Sequence, residues 1–185
     1  MYLFALIAGL GSLVYLVKTT RPFDDRIEKL AVDGNMYKVR DTPKAQQTAN
    51  SLARLNAKVT LFIARLQSQG DIGYEPMVMR LQKRYKTSNI SEGLIQQNMT
   101  SYTVNKGEEI VYCMTSRDEH ETLYDDNLLF YVTLHELAHI ASVSEGHNAE
   151  FFRNFRYLIK KAVEMNLFKH ETSQVNYCGI PISKI

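Results

Sequence analysis

An α+β domain is what this sequence predicts, on three observations. Apolar residues recur at three- and four-residue steps from Ala45 to Leu66, β-type alternation runs from Ile110 to Thr115 behind a turn signal, and a strongly apolar helical stretch from Leu128 to Ala141 encloses two histidines and a glutamate. At 185 residues there is chain enough for one domain with a hydrophobic core. Hydrophobic residues make up 45% and charged residues 23%, ordinary globular usage, and the net charge of +2 gives no general pull toward polyanions. Composition alone therefore argues neither for nor against nucleic acid, and with no basic DNA-binding stretch in the sequence direct nucleic-acid binding is not expected. The two cysteines, Cys113 and Cys178, cannot alone build a cysteine zinc site or a disulfide framework. They read first as small buried side chains, with a single disulfide as the alternative.

The N-terminus departs from this average. Tyr2 to Val17 carries no charge and is closed by Lys18 and Arg21. A cleaved signal peptide shows its bases first and a small-residue cleavage site after, and here the order is reversed. Residues 1–20 therefore read as an uncleaved transmembrane anchor, with a buried core helix as the alternative. Since Lys and Arg favour the cytoplasmic side, the expectation is a single-pass membrane protein with its N-terminus outside and its remaining chain in the cytoplasm. Residues 21–41 read as a linker and a small hairpin, with Asp33-Gly34-Asn35 turning between Leu30–Val32 and Met36–Val39.

Residues 42–185 form the predicted domain. Thr42 caps and Pro43 opens a long helix whose stripe is Ala45, Ala49, Leu52, Val59, Phe62, Ile63 and Leu66, ending before Gly70. A shorter helix covers Glu75 to Tyr85. Ser101–Val104 and Ile110–Thr115 pair around Asn105-Lys106-Gly107, giving a small antiparallel sheet. Asp125 or Asp126 caps the apolar helix, Glu145-Gly146 breaks the chain, and a last helix from about Asn148 sets Phe151, Phe155, Leu158, Ile159 and Ala162 opposite Arg153, Arg156, Lys160 and Glu164. Lys169 to Ile185 shows little pattern.

Chemistry is concentrated in His135-Glu136-Leu137-Ala138-His139. Histidines at i and i+4 lie one turn apart on one helix face, so both imidazoles can reach a single metal ion. Glu136, rotated by roughly 100° from His135, sits beside that ion and can take a proton from a water on it. Titratable groups on so apolar a helix are costly unless paired or bound to metal, which favours a ligand role over solvated decoration. A catalytic zinc site takes three protein ligands and leaves a fourth position open. His147, just past the Glu145-Gly146 break, is the expected third ligand; the alternative is a helix-capping histidine, with Glu150 or Glu145 serving instead. His120 and His170 lie outside the cluster.

This motif, followed after seven residues by His147 and then Asn148, Glu150, Phe151 and Phe152, resembles the WLM and SprT-like metallopeptidases. The resemblance covers roughly Asn105 to Cys178 and includes Lys106-Gly107-Glu108, Tyr112-Cys113 and Tyr177-Cys178-Gly179. It implies a zincin-like domain, with a long N-terminal helix, a small antiparallel sheet and an HExxH helix, whose Zn2+ is held by His135, His139 and His147 with Glu136 as catalytic base. Similar small proteins, some with an N-terminal hydrophobic segment, occur in large DNA viruses. The partners then implied are a protein or peptide substrate, a membrane through residues 2–17, and viral capsid or membrane proteins. Substrate is expected to add as a strand to an edge formed by Ile110–Thr115, and Tyr177 or Tyr112 to assist the oxyanion unless each simply packs. The competing reading is a virion- or membrane-associated structural protein that keeps the fold with little turnover.

Overall fold

In the computed structural model the described residues are 25–95, 100–171 and 174–183. The described residues open on an antiparallel hairpin, β1 (Arg26–Leu30) and β2 (Met36–Arg40), with Leu30 opposite Met36. Its turn is made by Asp33, whose carboxylate accepts from the Asn35 backbone at 3.1 Å and from the Tyr37 hydroxyl at 2.7 Å, and by Gly34 at φ +81°. That positive φ suits glycine, which has no Cβ to clash. Tyr37 and Val39 of β2 are buried in the core.

Helix α1 spans Ala45–Gln69, and all seven residues of the predicted stripe are buried on it. The start differs from expectation. Lys44, not Thr42, is the capping position, because the Thr42 hydroxyl accepts from the Lys44 backbone at 3.2 Å and Ala45 bonds back to the Thr42 carbonyl, so Thr42-Pro43 close a turn ahead of the helix. Gly70 ends it in the left-handed conformation, as a C-terminal glycine does. Helix α2 follows over Glu75–Arg84.

The central sheet has the order β3-β5-β4, from β3 (Ile90–Glu92), β4 (Tyr102–Val104) and β5 (Glu109–Tyr112). The expected β4–β5 hairpin is present, but β3 pairs parallel to β5, so the sheet is mixed rather than purely antiparallel. Three residues were too few for β3 to show an alternation. Because β5 lies between two strands both its edges are paired, and Ile110, Val111 and Tyr112 are all buried. Helix α3 (Asp126–Ala141) is capped by Asp125, which accepts from Asn127 and Leu128, and twelve of its residues are buried. Helix α4 (Ala149–Glu164) is capped by Asn148. A last antiparallel hairpin, β6 (Gln174–Tyr177) and β7 (Ile180–Ser183), lies where the sequence showed little pattern. A disulfide joins Cys113 to Cys178 across 65 residues of chain.

Beneath the sheet, Arg40 donates its backbone amide and Nε to Glu92 at 2.8 and 3.0 Å, Nη1 to Glu121 at 2.7 Å and Nη2 to Thr115 at 2.6 Å. Burial pushes the Glu92 carboxyl up while Arg40 pulls it down. Glu92 is 2% exposed, so its charge is kept by this fork of donors rather than by water.

The membrane expectation needs correction. Among the described residues no helix is long and apolar enough to cross a membrane, which conflicts with a single-pass membrane protein. The hydrophobic stretch 2–17 on which that reading rested lies outside the described residues.

Candidate metal centre

Helix α3 sits in the core with its apolar side chains pointing to nearly every side, and His135, Glu136 and His139 turn toward a cleft from its last two turns. The Nε2 atoms of the two histidines are 3.3 Å apart. Beyond Ala141 the chain reverses through residues 142–148, and His147 returns its own Nε2 to 3.1 Å from His139 and 3.0 Å from His135. A tetrahedral ion about 2.0–2.1 Å from each nitrogen requires nitrogen spacings of about 3.3 Å. The triangle is therefore of the size a zinc ion asks for, and its neutral imidazole donor set suits that ion. His120 and His170 are not part of the group.

Electrostatics favour ligation. Burial lowers the pKa of His135 to about 4, reinforced by His139 and His147, and burial with His147 and Lys106 takes His139 to about 4. Both rings are thus neutral near pH 7 and offer lone pairs. Behind them Phe151, fully buried on α4, places its ring 4.3 Å from His139, 4.7 Å from His147 and 4.9 Å from His135. The sequence places Phe151 on an apolar face and beside the motif; nothing in a helical stripe says which core residue will back a cluster.

Glu136, 4% exposed, faces the same cleft. Burial raises its carboxyl to about 7, and a hydrogen bond from the Thr103 hydroxyl to Oε2, at 2.9 Å, acts against that rise. Thr103 belongs to β4, which with Ser101 and Tyr102 forms the wall facing α3 in a cleft of about 370 Å³. The edge beside the site is thus β4, whereas the Ile110–Tyr112 half of Ile110–Thr115 lies in the central β5, where a strand cannot add. At one end of the cleft Lys106, in a turn where Asn105, Lys106 and Gly107 all have positive φ, donates to the Ser144 carbonyl at 2.6 Å and pairs with Glu145 at 3.4 Å. Gly107 is required there: a Cβ would meet the Arg84 carbonyl at 3.1 Å.

The 142–148 segment is pinned by Glu150, which accepts from the Val143 and Ser144 amides at 3.0 and 2.9 Å and the Ser144 hydroxyl at 2.6 Å. Glu150 is thus occupied with the backbone and is no member of the cluster. Neither tyrosine reaches the cleft: Tyr112 is fully buried, and the Tyr177 hydroxyl is committed to Ser101 and to the Cys113 carbonyl.

Fold and site together define a Wss1-like α+β domain carrying a three-histidine cluster. No protein-family model matches the chain. It superposes on Wss1 from Saccharomyces cerevisiae with a TM-score of 0.51 and 18% identity, over 69% of this chain and 88% of that one. A mutant of the same yeast protein gives 0.51, 17%, 70% and 92%. At such identity the likeness is one of fold. In sequence the chain is similar to viral proteins. It is 29% identical over 185 residues to the uncharacterized protein R325 of Acanthamoeba polyphaga mimivirus, covering 97% of this chain and 93% of that one. Over 91 residues it is 33% identical to the uncharacterized protein 136R of Invertebrate iridescent virus 6, covering 48% and 51%.

Proposed function

We propose that the domain is a zinc-dependent peptidase, with His135, His139 and His147 holding the metal and Glu136 acting as general base. The observation that carries this reading is the triangle of Nε2 atoms 3.0–3.3 Å on a side with a buried carboxylate on the adjoining residue of the same helix, both opening into one cleft. A purely structural site needs the ligands but has no use for the base. The Wss1-like fold is in keeping with it.

Zinc, when bound, supplies the Lewis acidity that activates a water and polarises the scissile carbonyl. Glu136 takes the proton of the attacking water and hands it to the departing amine, with Thr103 holding one carboxylate oxygen so that the other faces the reaction. A pKa near 7 fits that exchange, since the group must both accept and return a proton. The exposed edge of β4 offers backbone groups to an extended peptide, which would lie across the cleft as an added strand. The deciding experiment measures zinc content and cleavage of an unfolded protein such as labelled casein by the purified chain. Zinc at one per chain with chelator-sensitive cleavage supports the reading, and metal-replete protein that cleaves nothing overturns it.

A further inference from the structure

Among the described residues the hairpin of β6 and β7 forms a sheet of its own, pairing with no other strand. What ties it to the body is concentrated at Tyr177 and Cys178. Cys178 is bonded to Cys113, and its amide donates to the Tyr124 hydroxyl at 2.8 Å. The Tyr177 hydroxyl donates to the Cys113 carbonyl at 2.8 Å, which leaves the Ser101 hydroxyl to donate to Tyr177 across 2.5 Å while accepting from the Cys113 amide at 3.1 Å. The ring is closed: amide to Ser101, Ser101 to Tyr177, Tyr177 back to the carbonyl of the same cysteine. Every member is buried or half-buried.

Ser101 is the residue that leads into β4, and two residues on, along the same face of an extended chain, Thr103 holds Glu136. Both line the cleft. None of the three histidines touches this ring, because they come from α3 and the segment after it. The hydroxyl ring thus anchors the start of the cleft wall that carries Thr103.

We infer that Tyr177 is a positioning residue for the edge strand β4, and that the Cys113–Cys178 disulfide holds it in place, which makes the site responsive to thiol reductants. The inference rests on the peptidase reading for its effect on rate, but not for its effect on the strand. Reduction by a dithiol moves two electrons and two protons to the cysteines; the S–S bond breaks, two thiols form and the dithiol closes to its own disulfide. The hairpin then keeps its hydrogen bonds and the packing of Val175, Tyr177 and Ile182 against the core, without the covalent tie.

The test uses the zinc-loaded full chain, oxidised, reduced with dithiothreitol, and as an oxidised Tyr177→Phe variant. Amide exchange across Tyr102–Val104, bound zinc, and KM and kcat on labelled casein are measured for each. Expected on reduction are faster exchange in β4 and a roughly 10-fold loss of kcat/KM carried mainly by KM, with zinc retained. Tyr177→Phe, which removes the hydroxyl and keeps the disulfide, should move exchange and KM in the same direction. Unchanged exchange in β4 for either form overturns the inference. Should reduction unfold the chain, the oxidised Tyr177→Phe protein decides alone. Absence of cleavage by the oxidised wild type would remove the peptidase reading, while the exchange measurement still settles the positioning.

Discussion

The Thr103 hydroxyl donates to Glu136 Oε2 across 2.9 Å, linking the edge strand of the cleft to the carboxylate of the buried helix. Thr103→Val should therefore lower kcat about 10-fold, a fraction of the roughly 10²–10⁴-fold that a general base contributes in full, with zinc content unchanged. Burial lifts Glu136 to about 7 and Thr103 opposes the lift, so removing the hydroxyl raises the carboxyl further. The base works ionised, so the acid limb of the kcat/KM profile moves to higher pH. Thr103→Ser restores both; a profile unmoved in Thr103→Val would show that the contact orients nothing.

Glu136→Gln keeps shape and removes basicity. Activity should fall by about 10² to 10⁴-fold, the usual contribution of such a group, with bound zinc and melting temperature near wild type. His139→Ala, by contrast, takes away one of three converging nitrogens and should lose metal as well as rate. Atomic absorption beside the rate assay separates the two; full activity in Glu136→Gln would remove it as the base.

Glu150 offers a pH test of the segment that carries His147. Burial pulls its carboxyl up, but hydrogen bonds from the Ser144 hydroxyl and the Val143 and Ser144 amides, with Arg80 nearby, bring it down to about 2 from 4.5. A depressed carboxyl contributes stability above its unfolded pKa and loses it as pH falls through the folded value. The melting-temperature gap between wild type and Glu150→Gln should thus be full above about pH 4.5 and close toward pH 2. A gap independent of pH would mean that ionisation of Glu150 is not what secures the loop.

Arg40→Ala should cost about 3–5 kcal/mol in urea unfolding, the usual penalty for leaving one partner of a buried ion pair behind. Glu92, 2% exposed, would then be left with neither Arg40 Nε nor water. The double change Arg40→Met with Glu92→Leu should cost less than Arg40→Ala alone, since no charge remains to be buried. Equal losses would place the effect in packing.

The residues whose role follows from local periodicity were legible in the sequence. The stripe of α1, the glycine that ends it, the capping Asp125 and the i, i+4 histidines each depend on neighbours within a turn or two, and each stands where the pattern put it. His147 also arrives at the cluster, because a break after an apolar helix leaves a short return path. What the sequence concealed depends on partners far along the chain. Thr103 meets Glu136 across 33 residues, and the Cys113–Cys178 pair, read first as small buried side chains, closes over 65. The edge was assigned to the wrong strand because β3, with three residues and no alternation, gave no sign that it would take the far side of β5. The membrane reading failed on a different ground, since hydropathy in one stretch carried the whole of it, and no described helix crosses a bilayer.

The fork of donors on Arg40 also bears on how the chain is made. Its partners lie ahead of it in synthesis: Glu92 is 52 residues on, Thr115 is 75 and Glu121 is 81. At about 5–20 residues per second the ribosome needs roughly 4–16 s to deliver the last of them after Arg40 has been added. Through that interval β2 has its turn and its first partner strand but not the carboxylates that let Arg40 go inside. Helix α1, made before those partners, already offers cover to Tyr37 and Val39, so it is Arg40 alone whose buried place is completed only when β3 and the segment before α3 have left the tunnel.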